Sequence, residues 1–326
     1  MVQLPSRSAA SLLTSLLALA SVAALPGCKP ESEANAAVGS APAEPVAEVA
    51  SAASTSPTPT VAGYALDTGG AVNRVNAATG GTRRGSALRL PDGGKVTSDV
   101  TLDPLTLQVP VAYGNTVGSW IGATLASTSS GRPDVTVSSF DFNFKRLETL
   151  ELQDAGITEI RLPAMIGTGT ATDAVTLKVV PADARRHAGS GTVPASTLPA
   201  AWVQSHYGLT LDDLDTRNID RVEAFTIKVG PVSHGVAVID YPNLVLTLRR
   251  SNAAGFLSWA DTVLASPGQS NANERNGELV YQSSSGAPLL RVRLSNVGIL
   301  RVSDVASDPD RVQVELYVER MDLSRS

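Results

Sequence analysis

The feature that most restricts the fold of this chain is a pattern that comes round twice. Pro104-Leu105-Thr106-Leu107 answers Asn243-Leu244-Val245-Leu246, Trp120 answers Trp259, and Val175–Val179 answers Val314–Val318; each pair stands 139 residues apart. Between these anchors the spacing drifts by about three residues, as a loop insertion and a compensating deletion produce. One offset kept by separate elements at both ends marks a duplication, so each half must fold in the same way. The 326 residues accommodate two such domains at roughly 100–200 residues each.

Within each copy the periodicity is mostly that of strands. Leu105, Leu107, Val109 and Val111 alternate with polar or small residues, as a half-buried strand does. Val117, Trp120, Ile121 and Leu125 then recur at helical spacing, and Phe256, Leu257, Ala260, Val263 and Leu264 do so in the second copy. Ser129–Pro133 and Asn273–Gly277 read as turns after the helices. Val135-Thr136-Val137 and then Phe140, Phe142 and Phe144 follow with period two. In the second copy Glu278–Tyr281 leads through the turn Ser283–Gly286 to Leu290–Leu294. The last hairpin pairs Ile157–Leu162 with Val175–Val179, and Ile299–Val302 with Val312–Val318. Val61–Leu90 is Gly-rich and weakly patterned, whereas its counterpart, Val222–Val229 with Val236–Ile239, reads as a strand pair. Ala200–Tyr207 reads as the start of a short helix. One helix cannot cover two sheets, so the strands must bury most of the core against each other. The expected class is all-β (β-rich α+β): two tandem β-sandwich or barrel domains, each with one short helix.

The expected organisation is a signal segment over 1–28, a disordered Ala/Pro/Ser-rich tether over 29–60, domains over 61–188 and 201–326, and a linker over 189–200. Extended, the linker stretch Gly189–Pro199 reaches on the order of 35 Å, enough to join neighbouring domains. Apolar residues make up 43% of the chain and charged residues 17%, enough apolar material for a packed core. A net charge of −5 offers no basic face, and no nucleic-acid binding is indicated.

The single cysteine, Cys28, excludes an intramolecular disulfide and a multi-cysteine zinc site. It closes a stretch that begins with Arg7 and continues through the apolar run Ala9–Leu25 to Leu25-Pro26-Gly27-Cys28, which has the layout of a secretory signal. That ending resembles a bacterial lipobox, whose cysteine is acylated and becomes the new N-terminus. The resemblance makes Cys28 the lipidation site and the membrane a partner; the alternative is an ordinary cleaved signal with a cysteine nearby. Lys29 is not the aspartate that retains such proteins at the inner membrane, so the expected location is the cell envelope, at the outer membrane.

Three stretches resemble the tail-tube protein family of contractile phages, whose fold is shared with the tube of type VI secretion. They are Phe140–Lys145 with Ala155–Ala164, the strand–helix pair Leu105–Leu125 with its Trp120, and Leu246–Arg250 followed by Phe256-Leu257-Ser258-Trp259. The resemblance spans about two thirds of the chain. It implies a ring-forming structural protein with no catalytic residues. Because the family closes rings of six domains, it further implies self-association of three two-domain chains into a trimer with pseudo-sixfold symmetry. The lumen of such a ring is expected to be polar, since no long apolar strand face is left over once the core is filled. The alternative is a monomeric surface lipoprotein that uses the same fold as a binding or adhesion module.

Residues of catalytic type occur only in scattered places. His187, His206 and His234 show no metal-ligand spacing. Gly69-Gly70, Gly80-Gly81 and Gly93-Gly94 lack the following Lys-Ser/Thr of a phosphate loop and read as turns. The acidic run Asp212-Asp213-Leu214-Asp215, with Asp220, lacks the spaced ligands and central Gly of a calcium loop. Asp308-Pro309-Asp310 reads as a hairpin turn. The expectation is therefore no enzyme, no cofactor and no metal.

Overall fold

The structure, a computed structural model, describes residues 60–126, 131–195, 199, 201–233, 236–265 and 273–325. The signal segment, Cys28, the tether up to residue 59 and His234 lie outside the described residues.

The first half runs β1 (Gly63–Asp67), β2 (Val72–Val75), β3 (Ala77–Gly80), β4 (Arg83–Arg89), β5 (Lys95–Leu102), β6 (Leu105–Val109), α1 (Asn115–Leu125), β7 (Val135–Phe140), β8 (Arg146–Gln153), β9 (Gly156–Leu162), β10 (Met165–Ile166), β11 (Thr172–Asp173), β12 (Val175–Val180) and β13 (Asp183–Ala188). The second half runs β14 (Trp202–Val203), β15 (Tyr207–Leu211), β16 (Ile219–Val222), β17 (Phe225–Ser233), β18 (Val236–Asp240), β19 (Leu244–Arg249), α2 (Ala254–Leu264), β20 (Arg275–Gln282), β21 (Pro288–Val305) and β22 (Asp308–Arg325). The fold is all-β, with two short α-helices and a 3-10 turn at Arg250–Asn252 among the described residues.

The two halves follow the same strand path. The first half makes one sheet ordered β13-β8-β7-β1-β2 and contributes β9-β12-β6-β3 to another. The second half makes a single sheet containing β16-β19-β22-β21-β20-β15. In it the long strands β21 and β22 do the work of two first-half strands each: their outer parts pair like β8 and β13, their inner parts like β9 and β12.

The corner that separates the two parts is built alike in both halves. Asp154, between β8 and β9, has φ 49°, and Asn296, inside β21, has φ 53°. Asp and Asn are the non-glycine residues that best tolerate this left-handed backbone. The amide of Asp154 donates to Asp134 Oδ1 at 3.0 Å, and that of Asn296 to Asn276 Oδ1 at 3.3 Å. The first-half strand nevertheless breaks, because Pro181 has no amide with which to carry β12 on into β13.

Alternation explains the core. Leu105, Leu107 and Val109 of β6, Val175, Leu177 and Val179 of β12, and Leu246, Leu248, Val312, Val314 and Leu316 of the second half are all buried. They belong to one apolar cluster that runs through both halves. Trp120 and Trp259 each occupy the sixth position of their helix. The Trp120 indole N–H donates to the Gly131 carbonyl at 3.1 Å and that of Trp259 to the Asn273 carbonyl at 2.9 Å. Each buried indole thereby satisfies its polar handle.

Several sequence readings need correction. The strand expected through Phe142 and Phe144 ends at Phe140. Asp141 Oδ1 accepts from the amides of Asn143 and Lys145, both at 2.9 Å, and this turn chemistry overrides the period-two pattern. Phe142 is left 77% exposed. On α2, Leu257 and Leu264 are exposed, and the buried face is Phe256, Trp259 and Ala260. Trp202–Val203 is a strand, not the start of a helix, because Thr172–Asp173 is there to pair with it. The turn expected over Asn273–Gly277 is already strand from Arg275 onward. The last reversal falls at residues 306–307, so Asp308–Asp310 opens β22. Part of the segment read as a linker is pinned: Val193 is buried beside Ala65 and Phe140, and its amide donates to the Phe144 carbonyl at 2.8 Å.

Candidate assembly surfaces

The halves are joined by strand addition. β17 of the second half pairs antiparallel with the edge of β9 in the first, matching Phe225 with Leu162, Thr226 with Arg161, Ile227 with Ile160 and Lys228 with Glu159. Phe225, Ile227, Ile160 and Leu162 are buried there, so the seam is core as well as ladder. Two shorter clasps reinforce it: β10 pairs with β16 and β11 with β14. The amide of Gly167 donates to the Asp220 carbonyl at 2.8 Å, and the Tyr281 phenol donates to the Pro163 carbonyl at 3.1 Å. The ring of Trp202 meets that of Tyr281 edge-on at 4.9 Å.

β17 belongs to a hairpin arm with β18, and the first half has the corresponding arm, β4 with β5. Both arms leave the fold at the same point in the strand order, between the outer strand (β3 or β16) and the central one (β6 or β19), and both carry a register shift. Their surroundings differ. The β17–β18 arm is docked on β9, whereas β4 and β5 form a two-stranded sheet of their own. Every residue of β4 is exposed, and Leu88, Val96 and Val100 are apolar side chains in water. The base of the arm is tied down: Arg83 forms an ion pair with Asp183, and Thr82 Oγ1 donates to Asp103 Oδ2 at 2.8 Å.

The edge that corresponds to the docked one is open. Ile160 sits in a cross-strand row with Leu177 and Leu107; the second-half row is Val302, Val314 and Leu246. On the first-half row β17 comes next. On the second-half row β20 pairs with β21 only up to Val297, and among the described residues no strand continues along that side. Leu300 lies exposed on this stretch.

The residues weighed for chemistry lie apart. His187 pairs with Glu151 at 3.1 Å on the surface, and its ring is held above the usual imidazole range by its contact with the Ala188 carbonyl and then by Glu151. Asp215 is held down to about 2 by hydrogen bonds from Arg217, while Asp220 faces Arg311 at 3.2 Å. Among the described residues no group of three His, Cys, Asp or Glu side chains is placed to hold a metal, and no helix is long and apolar enough to cross a membrane. Sequence reading missed the β4–β5 arm, since an element exposed on both faces has no hydrophobic period to detect; it read Ile299–Val302 as a strand, but periodicity does not say which side of a strand stays unpaired.

No family model matches the chain, and no curated protein matches it. Several solved structures are similar to it, among them the following two. The tube-terminating cap of the anti-feeding prophage is 17% identical, with a TM-score of 0.35, over 40% of this chain and 91% of that one. A chain of the extended sheath–tube complex of the PVC extracellular contractile injection system is 18% identical, with a TM-score of 0.34, over 41% of this chain and 94% of that one.

Proposed function

We propose that this protein is a non-enzymatic structural component of tail-tube type, built from two copies of one domain and working by self-association at the cell envelope. One observation carries the reading: the two halves are already joined as separate subunits would be, edge strand to edge strand, through β9 and β17. Strand addition is a general mode of association because each sheet edge presents unpaired backbone groups. Such a head-to-tail contact must either close or propagate. Three chains of two domains close a ring of six, and a lipid on Cys28, followed by the 29–60 tether, holds the ring at the outer membrane.

Mass photometry and negative-stain microscopy of the chain carrying Cys28→Ser test the assembly. Trimeric rings or stacked tubes are the expected result; isolated particles at every concentration favour a monomeric binding module. For the anchor, Cys28→Ala is expected to move the protein from the membrane to the soluble fraction. Unchanged fractionation, with no lipid mass on the N-terminal peptide, removes that part.

A further inference from the structure

We infer that the β4–β5 arm of one chain docks on the open edge of β21, residues 298–304, of a second copy, and that this contact is the joint between chains. The inference rests on the self-associating reading above and names the surfaces that carry it.

Three observations support it. First, the interface already exists once inside the chain: the second-half arm adds to the first-half edge, so the same two pieces, displaced by one repeat, are a first-half arm and a second-half edge. Both are unoccupied by strands among the described residues. Second, a lone two-stranded hairpin in water is marginal. β4 and β5 keep seven paired positions while exposing Leu88, Val96 and Val100, an arrangement that calls for a covering partner. Third, the edge resembles the docked one: β21 shifts register at Leu300 as β9 does at Thr158, just beyond the residues that receive β17. Leu300 is exposed there beside Val302, and Pro288, the only proline of this 18-residue strand, lies at the far end.

The joint between chains is weaker than the seam within one. The seam adds the clasps β10–β16 and β11–β14, but β21 turns at 306–307 straight into β22 and offers no counterpart to them. β17 begins with Phe225 and Ile227, both buried, where β4 begins with Arg83 and Gly85. Backbone pairing therefore dominates the contact between chains, and assembly is reversible and concentration-dependent.

The test uses the chain carrying Cys28→Ser and a second variant in which residues 85–100 are also replaced by Asn-Gly, which closes β4 on β5 next to the Arg84–Thr101 pair. Mass photometry across micromolar concentrations is expected to show oligomers for the first protein. For the second, the midpoint concentration should rise roughly 100-fold or more, from the loss of about four ladder hydrogen bonds, with an unchanged unfolding midpoint. Hydrogen exchange on the intact arm gives a second readout: amides of β4 and of residues 298–304 should slow on assembly, and those of β17 should be slow throughout. Oligomers that persist unchanged without the arm, or assembly without slowing in β4, overturn this joint and leave the self-associating reading standing. A chain that stays monomeric with its arm intact removes both.

Discussion

Ile227→Ala tests whether the seam is core or mere contact. Ile227 is fully buried, opposite Ile160 on β9. The substitution removes three carbons, worth about 0.8 kcal/mol each in transfer, or about 2.4 kcal/mol together. The cavity left between two paired strands adds to this, since neither strand can close the gap without breaking the ladder, and a total of about 3–4 kcal/mol follows. For a domain of this size that lowers Tm by roughly 6–16 °C. Leu300→Ala, on the open edge, is the control and should cost under about 1 kcal/mol. Urea unfolding followed by tryptophan fluorescence suits the question, because Trp120 reports on the first half and Trp202 and Trp259 on the second. A single transition, shifted as a whole, is expected. A loss below about 1 kcal/mol, or separate unfolding of the two halves, would refute the packed seam.

Gly298→Ala should destabilise by about 1–3 kcal/mol, because an added Cβ would run into the ring of Tyr317 on the neighbouring strand; thermal melts check this, and the double variant with Tyr317→Ser should recover part of the loss. Asn296→Ala should cost about 1 kcal/mol or more in urea unfolding, through its positive φ and its 2.7 Å bond to Glu319, whereas Asn296→Gly loses the bond but not the backbone freedom and should cost less. Tyr207 is raised to about 12, chiefly by burial and then by Asp220, and its phenol donates to the Ile219 carbonyl at 2.6 Å. A folded-state value above the unfolded one means its contribution is intact below pH 10 and is lost as pH rises towards about 12. Stability measured from pH 9 to 12 should fall less steeply in Tyr207→Phe than in the parent, and equal slopes would count against the assignment.

Much of the fold could be read from residue spacing because its core strands are buried on one face and obey a two-residue period. Leu105–Val109 and Val175–Val179 are examples, as are the helical stripes around Trp120 and Trp259. The misreadings share a physical cause. At Phe142 a single Asp side chain turned the backbone against an apolar pattern. At Trp202 a two-residue strand exists only because a distant segment pairs with it, which no local window contains. The candidate surfaces were hidden for a related reason. Alternation in Phe225-Thr226-Ile227 marks a strand but not which edge receives it. In β4, where both faces meet water, there is no alternation at all.

The asymmetry between the halves bears on how such a chain would assemble. If both arms were apolar, the first-half arm could fold back onto the β9 edge of its own chain or of any other, and the β17 arm would have a competitor. Phe225 and Ile227 at the start of β17, with the two clasps beside it, bias the β9 edge towards the arm of its own chain. Because that arm is covalently linked to the edge, its effective concentration is high as well. The more polar β4 arm would then be left for the equivalent edge on β21, along which no strand of the same chain continues among the described residues. In the assembly proposed above, partner choice would be a difference in affinity between two arms and two edges, with the polar residues of β4 acting against the wrong pairing as much as for the right one. Edges used this way are consumed only when the last arm meets the first chain, so an unclosed assembly would always keep one exposed arm and one exposed edge, each a site for further growth.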